Sequence, residues 1–196
     1  MNLNFRRKAT YTLGILALSL VGIIPPSPIH ADQYRIVYKD TTIALPPVVS
    51  KAAEREIATK SAQVFSQTLK NSGLFSISDD SKTAKALKTA GLKECADVEC
   101  SRILGQALKA SKVGNLQIEK DVKVYVQELT RYVSQKKVLV TYTVSARSVD
   151  SNSGGIDCEF SEKAYNGDEV RKKTLIIAEK IVDYYRRNRP FDKIVI

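Results

Sequence analysis

From Lys51 to Ser72 the residues Ala53, Ile57, Ser61, Val64, Phe65, Thr68 and Leu69 recur at three- and four-residue spacing, one stripe of an amphipathic helix. Ser50 is a suitable N-cap for it and Gly73 a suitable C-terminal stop. Two segments before it, Tyr34–Lys39 and Thr41–Val49, are rich in β-branched and aromatic residues and read as extended, with Pro46-Pro47 ending the second. Leu74–Ser78 reads as a short strand. Asp79-Asp80-Ser81 then caps a helix over Lys82–Ala90, stopped by Gly91. Asp97 opens a third helix, Val98–Ala110, with Ile103, Leu104, Ala107 and Leu108 on its apolar face.

From Val113 to about Tyr165 the period changes from 3.6 to 2. Val122, Val124 and Val126 alternate with Lys123, Tyr125 and Gln127. Val138, Val140, Tyr142, Val144 and Ala146 alternate in the same way, and Asp150–Gly155 (DSNSGG) has turn chemistry. Helical spacing returns over Glu169–Arg187 through Val170, Thr174, Ile177, Ala178, Ile181 and Tyr185. The apolar tail Pro190–Ile196 reads as an edge strand, added either to the sheet or to a partner.

This order predicts an α+β two-layer fold: a mixed sheet with an antiparallel meander, covered on one face by about four helices. The expected core comprises Ile57, Val64, Leu69, Ile103, Leu104, Leu108, Val140, Val144, Ile177 and Ile181. No long repeat or linker divides residues 32–196, which are expected to form a single domain.

Residues 1–31 have a different character. Arg6, Arg7 and Lys8 precede an apolar run, Leu13–Ile24, then Pro25-Pro26-Ser27-Pro28 and Ile29-His30-Ala31. That is the layout of a cleaved secretory signal peptide. The run rises only about 18 Å as a helix, against a hydrocarbon core of roughly 30 Å. The expectation is an exported protein, periplasmic or secreted, not integral to a membrane after signal cleavage. With no Cys near the cleavage point, it is not expected to be a lipoprotein.

The chain has 196 residues, with 31 Lys+Arg against 21 Asp+Glu. Outside the cytoplasm such a basic balance favours acidic protein faces, anionic lipid or acidic glycan as partners, and disfavours nucleic acid. One His and three Cys leave too few ligands for an ordinary zinc site, and neither metal nor cofactor is expected. No nucleophile motif is present, and a chain shorn of His30 lacks the commonest general base, so a catalytic role is not expected. Cys95 and Cys100 are close in sequence and expected in an oxidising compartment, which favours a disulfide. The alternatives are two reduced thiols or a redox pair. Cys158 reads as a buried free thiol, with pairing to another cysteine as the alternative. Arg186, Arg187 and Arg189 form the densest basic cluster, read either as cations complementing a helix C-terminus or as a docking patch for an anionic partner.

Three stretches together carry a resemblance: TIALPP followed by a helix and SGLFSI; Cys95–Ala110, with C-x4-C opening a helix that ends G-x-x-L-x-A; and Ser145–Gly154, with a V-D-x-x-S-G turn. They resemble the α/β periplasmic domain shared by the amino-terminal part of TolB, the curli-secretion protein CsgG and the penicillin-binding-protein activator LpoB. The resemblance spans roughly Thr41 to Arg187. It implies a non-enzymatic domain for protein interaction or envelope assembly, with another envelope protein as partner, and it also points to the Cys95–Cys100 bridge. This chain differs in the more polar strand Lys112–Glu119 and in a longer meander through Asp121–Lys137. The alternative function is a secreted or surface-exposed adhesin that binds acidic glycans or host matrix through a basic face.

Overall fold

A computed structural model describes residues 35–38, 41–130, 133–188 and 191–195. The expected signal segment, 1–31, lies outside the described residues, as does Arg189. In chain order the elements are β1 (Arg35–Tyr38), β2 (Thr41–Ala44), β3 (Val49–Lys51), α1 (Arg55–Asn71), β4 (Phe75–Ile77), α2 (Asp80–Thr89), α3 (Val98–Leu108), β5 (Lys112–Thr130), β6 (Val133–Asp150), β7 (Ile156–Ala164), α4 (Gly167–Asn188) and β8 (Phe191–Val195).

Six strands make one mixed sheet in the order β4-β2-β5-β6-β7, with β3 also paired to β5. β2 and β3 run parallel to β5, whereas β5, β6 and β7 form the expected antiparallel meander. The tail strand β8 pairs antiparallel with β1 in a separate two-stranded sheet and not with the main one.

The segment read as one strand, Thr41–Val49, is two. Ala44 pairs with Val113 and Val49 with Gln117, so five residues on one side span four on the other. Pro46 and Pro47 lie in this excursion, where no ladder donor is required of them. Ser50 is consequently not a helix cap. It belongs to β3, which pairs with β5 through Ile118, and the buried Val49 holds that strand against the core. Ala52 turns the chain at φ 55°, and α1 begins with Glu54 at its N-cap. The other caps follow the sequence. Asp79 accepts a hydrogen bond from the Ser81 N–H at 2.7 Å, and Asp97 accepts one from the Cys100 N–H at 2.6 Å.

The four helices divide between the two faces of the sheet instead of covering one. Ile43, Leu116, Ile118, Tyr142, Val144 and Ala146 point towards α1 and α4, where Phe65, Leu69, Val170, Ile177 and Ile181 complete the larger core. The alternate residues Ala44 and Val113 point the other way and pack with Leu87 of α2 and with Cys95, Cys100 and Leu104 at α3. Period-2 alternation places neighbours on opposite faces, and here both faces carry apolar residues at this end of the sheet.

Of the expected core, Leu69, Leu104, Val144, Ile177 and Ile181 are buried. Ile57, Val64, Leu108 and Val140 are half-buried at its margins. Ile103 is exposed, at 36%. The face of α3 that meets the sheet is centred on Cys100, Ser101, Leu104 and Gly105, where the small Ser101 and Gly105 let the helix approach closely. Ile103 lies one residue, about 100°, away from Leu104 around the helix and turns outwards.

Candidate functional site: a polar junction, a basic end and a projecting arm

Two of the three sequence motifs converge on one junction. Cys95 and Cys100 form a disulfide with a Cα–Cα distance of 5.4 Å, at the entry to α3. Gly105 of the same helix lies against the turn after β6, and the Gln106 amide nitrogen donates to the Ser151 carbonyl at 3.5 Å. Asp150 organises that turn. Its Oδ1 accepts from the backbone N–H groups of Asn152 and Ser153 at 3.0 and 2.8 Å, and Gly154 takes φ 70°. Its Oδ2 pairs with Lys112 Nζ at 2.8 Å, and Lys112 reaches Asp157 at the same distance. Tyr185, near the end of α4, donates to Asp157 at 2.6 Å and shares a 2.7 Å hydrogen bond with Ser148.

The charges in this network explain its titration. Burial alone would raise the Asp150 carboxyl, but the Lys112 ammonium and the Ser153 N–H and hydroxyl outweigh it and hold the group well below the usual carboxylate range. Burial would lower Lys112, yet its two carboxylate partners leave it raised. Burial, with Asp157 adjacent, pushes the Cys158 thiol up to about 11, so this free buried cysteine is held as the thiol. The network is structural: it ties the β6–β7 turn to β5 and to α4.

Among the described residues no three His, Cys, Asp or Glu side chains come together in a group able to hold a metal ion. Of the sequence acids, Asp79 and Asp97 are helix caps and Glu99 pairs with Arg102 at 2.6 Å. No described helix is long and apolar enough to cross a membrane.

At the basic end, Arg186 and Arg187 lie in the last turn of α4. Arg186 pairs with Asp183 one turn back at 3.2 Å, both side chains being more than half exposed. Arg187 is exposed in the last turn of α4. The structure thus brings Arg186 and Arg187 to the helix C-terminus, where cations complement the dipole, with one of the two charges already met by an acid.

The largest departure from the sequence reading lies in β5 and β6. Their hairpin pairs in one register from Lys112↔Asp150 to Glu128↔Ser134. β7 reaches only as far as Tyr142 along β6, and β3 only as far as Glu119 along β5. The remainder, about Lys120 to Thr130 of β5 and Val133 to Thr141 of β6, projects as a two-stranded arm. On one face stand Val122 at 50% exposure, Val124 at 62%, Val126 at 57% and Val138 at 61%. The opposite face carries Lys123, Tyr125, Gln127 and Leu139. At the arm's base a cleft of about 530 Å³ is lined by Glu54, Lys120, Val140, Tyr142, Tyr165 and Arg171. Lys120 stands there 3.3 Å from Glu54 and 5.8 Å from the centre of the Tyr142 ring.

Alternation marks these valines as one apolar face, and the length of the strands shows that the face runs beyond its cover. Strands of 19 and 18 residues extend roughly 60 Å, whereas the 22 residues of α4 cover about 33 Å. None of the described helices can roof the full meander.

No family model and no curated protein sequence matches the chain. Among solved structures, it is similar to the lipoprotein GNA1162 from Neisseria meningitidis, with 14% identity, a TM-score of 0.48 and coverage of 73% of this chain and 99% of that one. It is also similar to the LpoB C-terminal domain from Escherichia coli, with 11% identity, a TM-score of 0.47 and coverage of 66% and 86%. A third is the hypothetical protein CT253 from Chlamydia trachomatis, with 12% identity, a TM-score of 0.46 and coverage of 74% and 98%.

Proposed function

We propose that this chain is a non-enzymatic interaction domain of an exported protein, and that it binds another protein of the cell envelope through the arm formed by β5 and β6. The observation that carries this reading is the row Val122, Val124, Val126 and Val138, each at least half exposed on one face of a hairpin that nothing else in the described chain covers. Soluble monomers rarely expose contiguous apolar patches above a few hundred Å², and larger ones mark sites of association. An isolated two-stranded hairpin is marginally stable in water, so an arm of this length also gains order from a partner. The adhesin alternative calls for a basic face, and at the basic end Arg186 already has an acidic partner.

The test is site-specific photocrosslinking in cells. A photoreactive residue at position 124 or 138 should give the same protein adduct, and one at Lys163 on β7 should not. Val124→Asp should abolish the adduct at 138 while leaving the melting temperature unchanged. Adducts of equal yield from all three positions, or none at 124 and 138, would remove the arm as the binding element.

A further inference from the structure

A second exposed feature lies away from the arm, between α2 and α3. A groove of about 500 Å³ is floored by Ala86 of α2, by Ala90 at the C-cap of that helix and by Leu108 at the end of α3. Lys82, Lys85 and Lys109 rim it. All three lysines are exposed, and none forms an ion pair with any described residue. Other exposed lysines, among them Lys70, Lys88, Lys93 and Lys163, also lack such a pair; what sets these three apart is that they rim one apolar floor. Lys109 is moreover held in the left-handed region, at φ 52°, at the C-cap of α3, so its backbone position on the rim is set by the helix end.

We infer that this groove docks an acidic amphipathic helix of a partner protein. Charge complementarity selects an anionic occupant, since three lysines without internal partners flank an apolar floor. Shape selects between anionic classes. Small side chains between two helices make a concave trough that accepts the protruding apolar side chains of a third helix, whereas a lipid surface is flat and meets ridges rather than troughs. Residues 82, 85 and 86 share one stripe of α2, which residue 90 continues at the C-cap, so the charged rim and the apolar floor run together along the groove. The inference is independent of the arm: it concerns a different surface and a partner of different chemistry.

The probe is a fluorescent synthetic 18-residue helix with Leu at three- and four-residue spacing and Glu on its other face, read by anisotropy against the full mature chain. Binding should fall about tenfold in the variant Lys82→Gln/Lys85→Gln/Lys109→Gln, because each exposed pair contributes only a few tenths of a kcal/mol. It should also weaken severalfold between 0.15 and 0.5 M salt. The same peptide with Lys in place of Glu should not bind. Circular dichroism melts confirm that the variant is folded, and Val124→Asp, which alters the arm alone, should leave peptide binding intact. Peptide binding that is absent, or unchanged in the triple variant, overturns the inference. So does flotation with phosphatidylglycerol vesicles that the triple variant abolishes while the peptide fails to bind, which would assign the groove to a lipid surface.

Discussion

Gly105 of α3 faces Ser151 of the β6–β7 turn so closely that a Cβ on Gly105 would lie 1.9 Å from Ser151 Oγ and 2.5 Å from its Cβ. Two motifs far apart in sequence, the G-x-x-L-x-A segment and the V-D turn, are thus one contact in space. Gly105→Ala should cost about 1–3 kcal/mol by overpacking. Ser151→Gly in the same chain should return part of that loss, leaving the milder 3.1 Å approach to Val113. A double-mutant cycle by urea denaturation measures the coupling; strict additivity would mean that the two residues do not touch.

The Cys95–Cys100 bridge joins residues five positions apart, so its chain-entropy contribution is modest. Replacing both cysteines with Ser should cost about 2 kcal/mol, compared with roughly 3 for a 15-residue loop. Amide hydrogen exchange should show the loss concentrated in the first turn of α3, next to the Asp97 cap. Thiol labelling of the native wild type at pH 8 should be negligible, because Cys158 is buried and its pKa is pushed up to about 11. Unfolding without reductant should expose one thiol per chain.

Asp150 makes stability depend on pH in a defined direction. Its folded carboxyl titrates below its unfolded value of about 3.9, so the stabilisation is complete above that value and is lost as pH falls through the folded pKa. Asp150→Asn should therefore destabilise by about 1–3 kcal/mol at pH 7. The gap between variant and wild type should narrow steadily as pH drops below about 4. A gap that stays constant down to strongly acid pH would mean that the Lys112 pair contributes nothing.

One strand contains both a core position and an arm position, which permits an internal comparison. Val144 is fully buried and Val138 is 61% exposed, although both belong to β6 and share its alternation. Val144→Ala should cost about 1.5–3 kcal/mol, the loss of two methyl groups plus a cavity. Val138→Ala should change stability by less than about 0.5 kcal/mol. Equal costs would place the arm inside a core.

The local structure was written along the chain. Asp79 and Asp97 cap helices where their side chains can accept backbone N–H bonds, Gly73 and Gly91 end helices at positive φ, and the α4 stripe from Val170 to Tyr185 is buried as its spacing predicts. These features depend on a residue and its near neighbours, so sequence alone determines them, and the mixed sheet with its antiparallel meander follows from their order. Tertiary structure decided the rest. Ser50 could cap a helix but is taken by pairing with β5, because the ladder and the burial of Val49 outweigh one cap. Alternation in β5 and β6 named an apolar face without saying which part of it a helix would cover. Coverage depends on where α1 and α4 end in space, and that leaves Val144 in the core and Val138 on the arm.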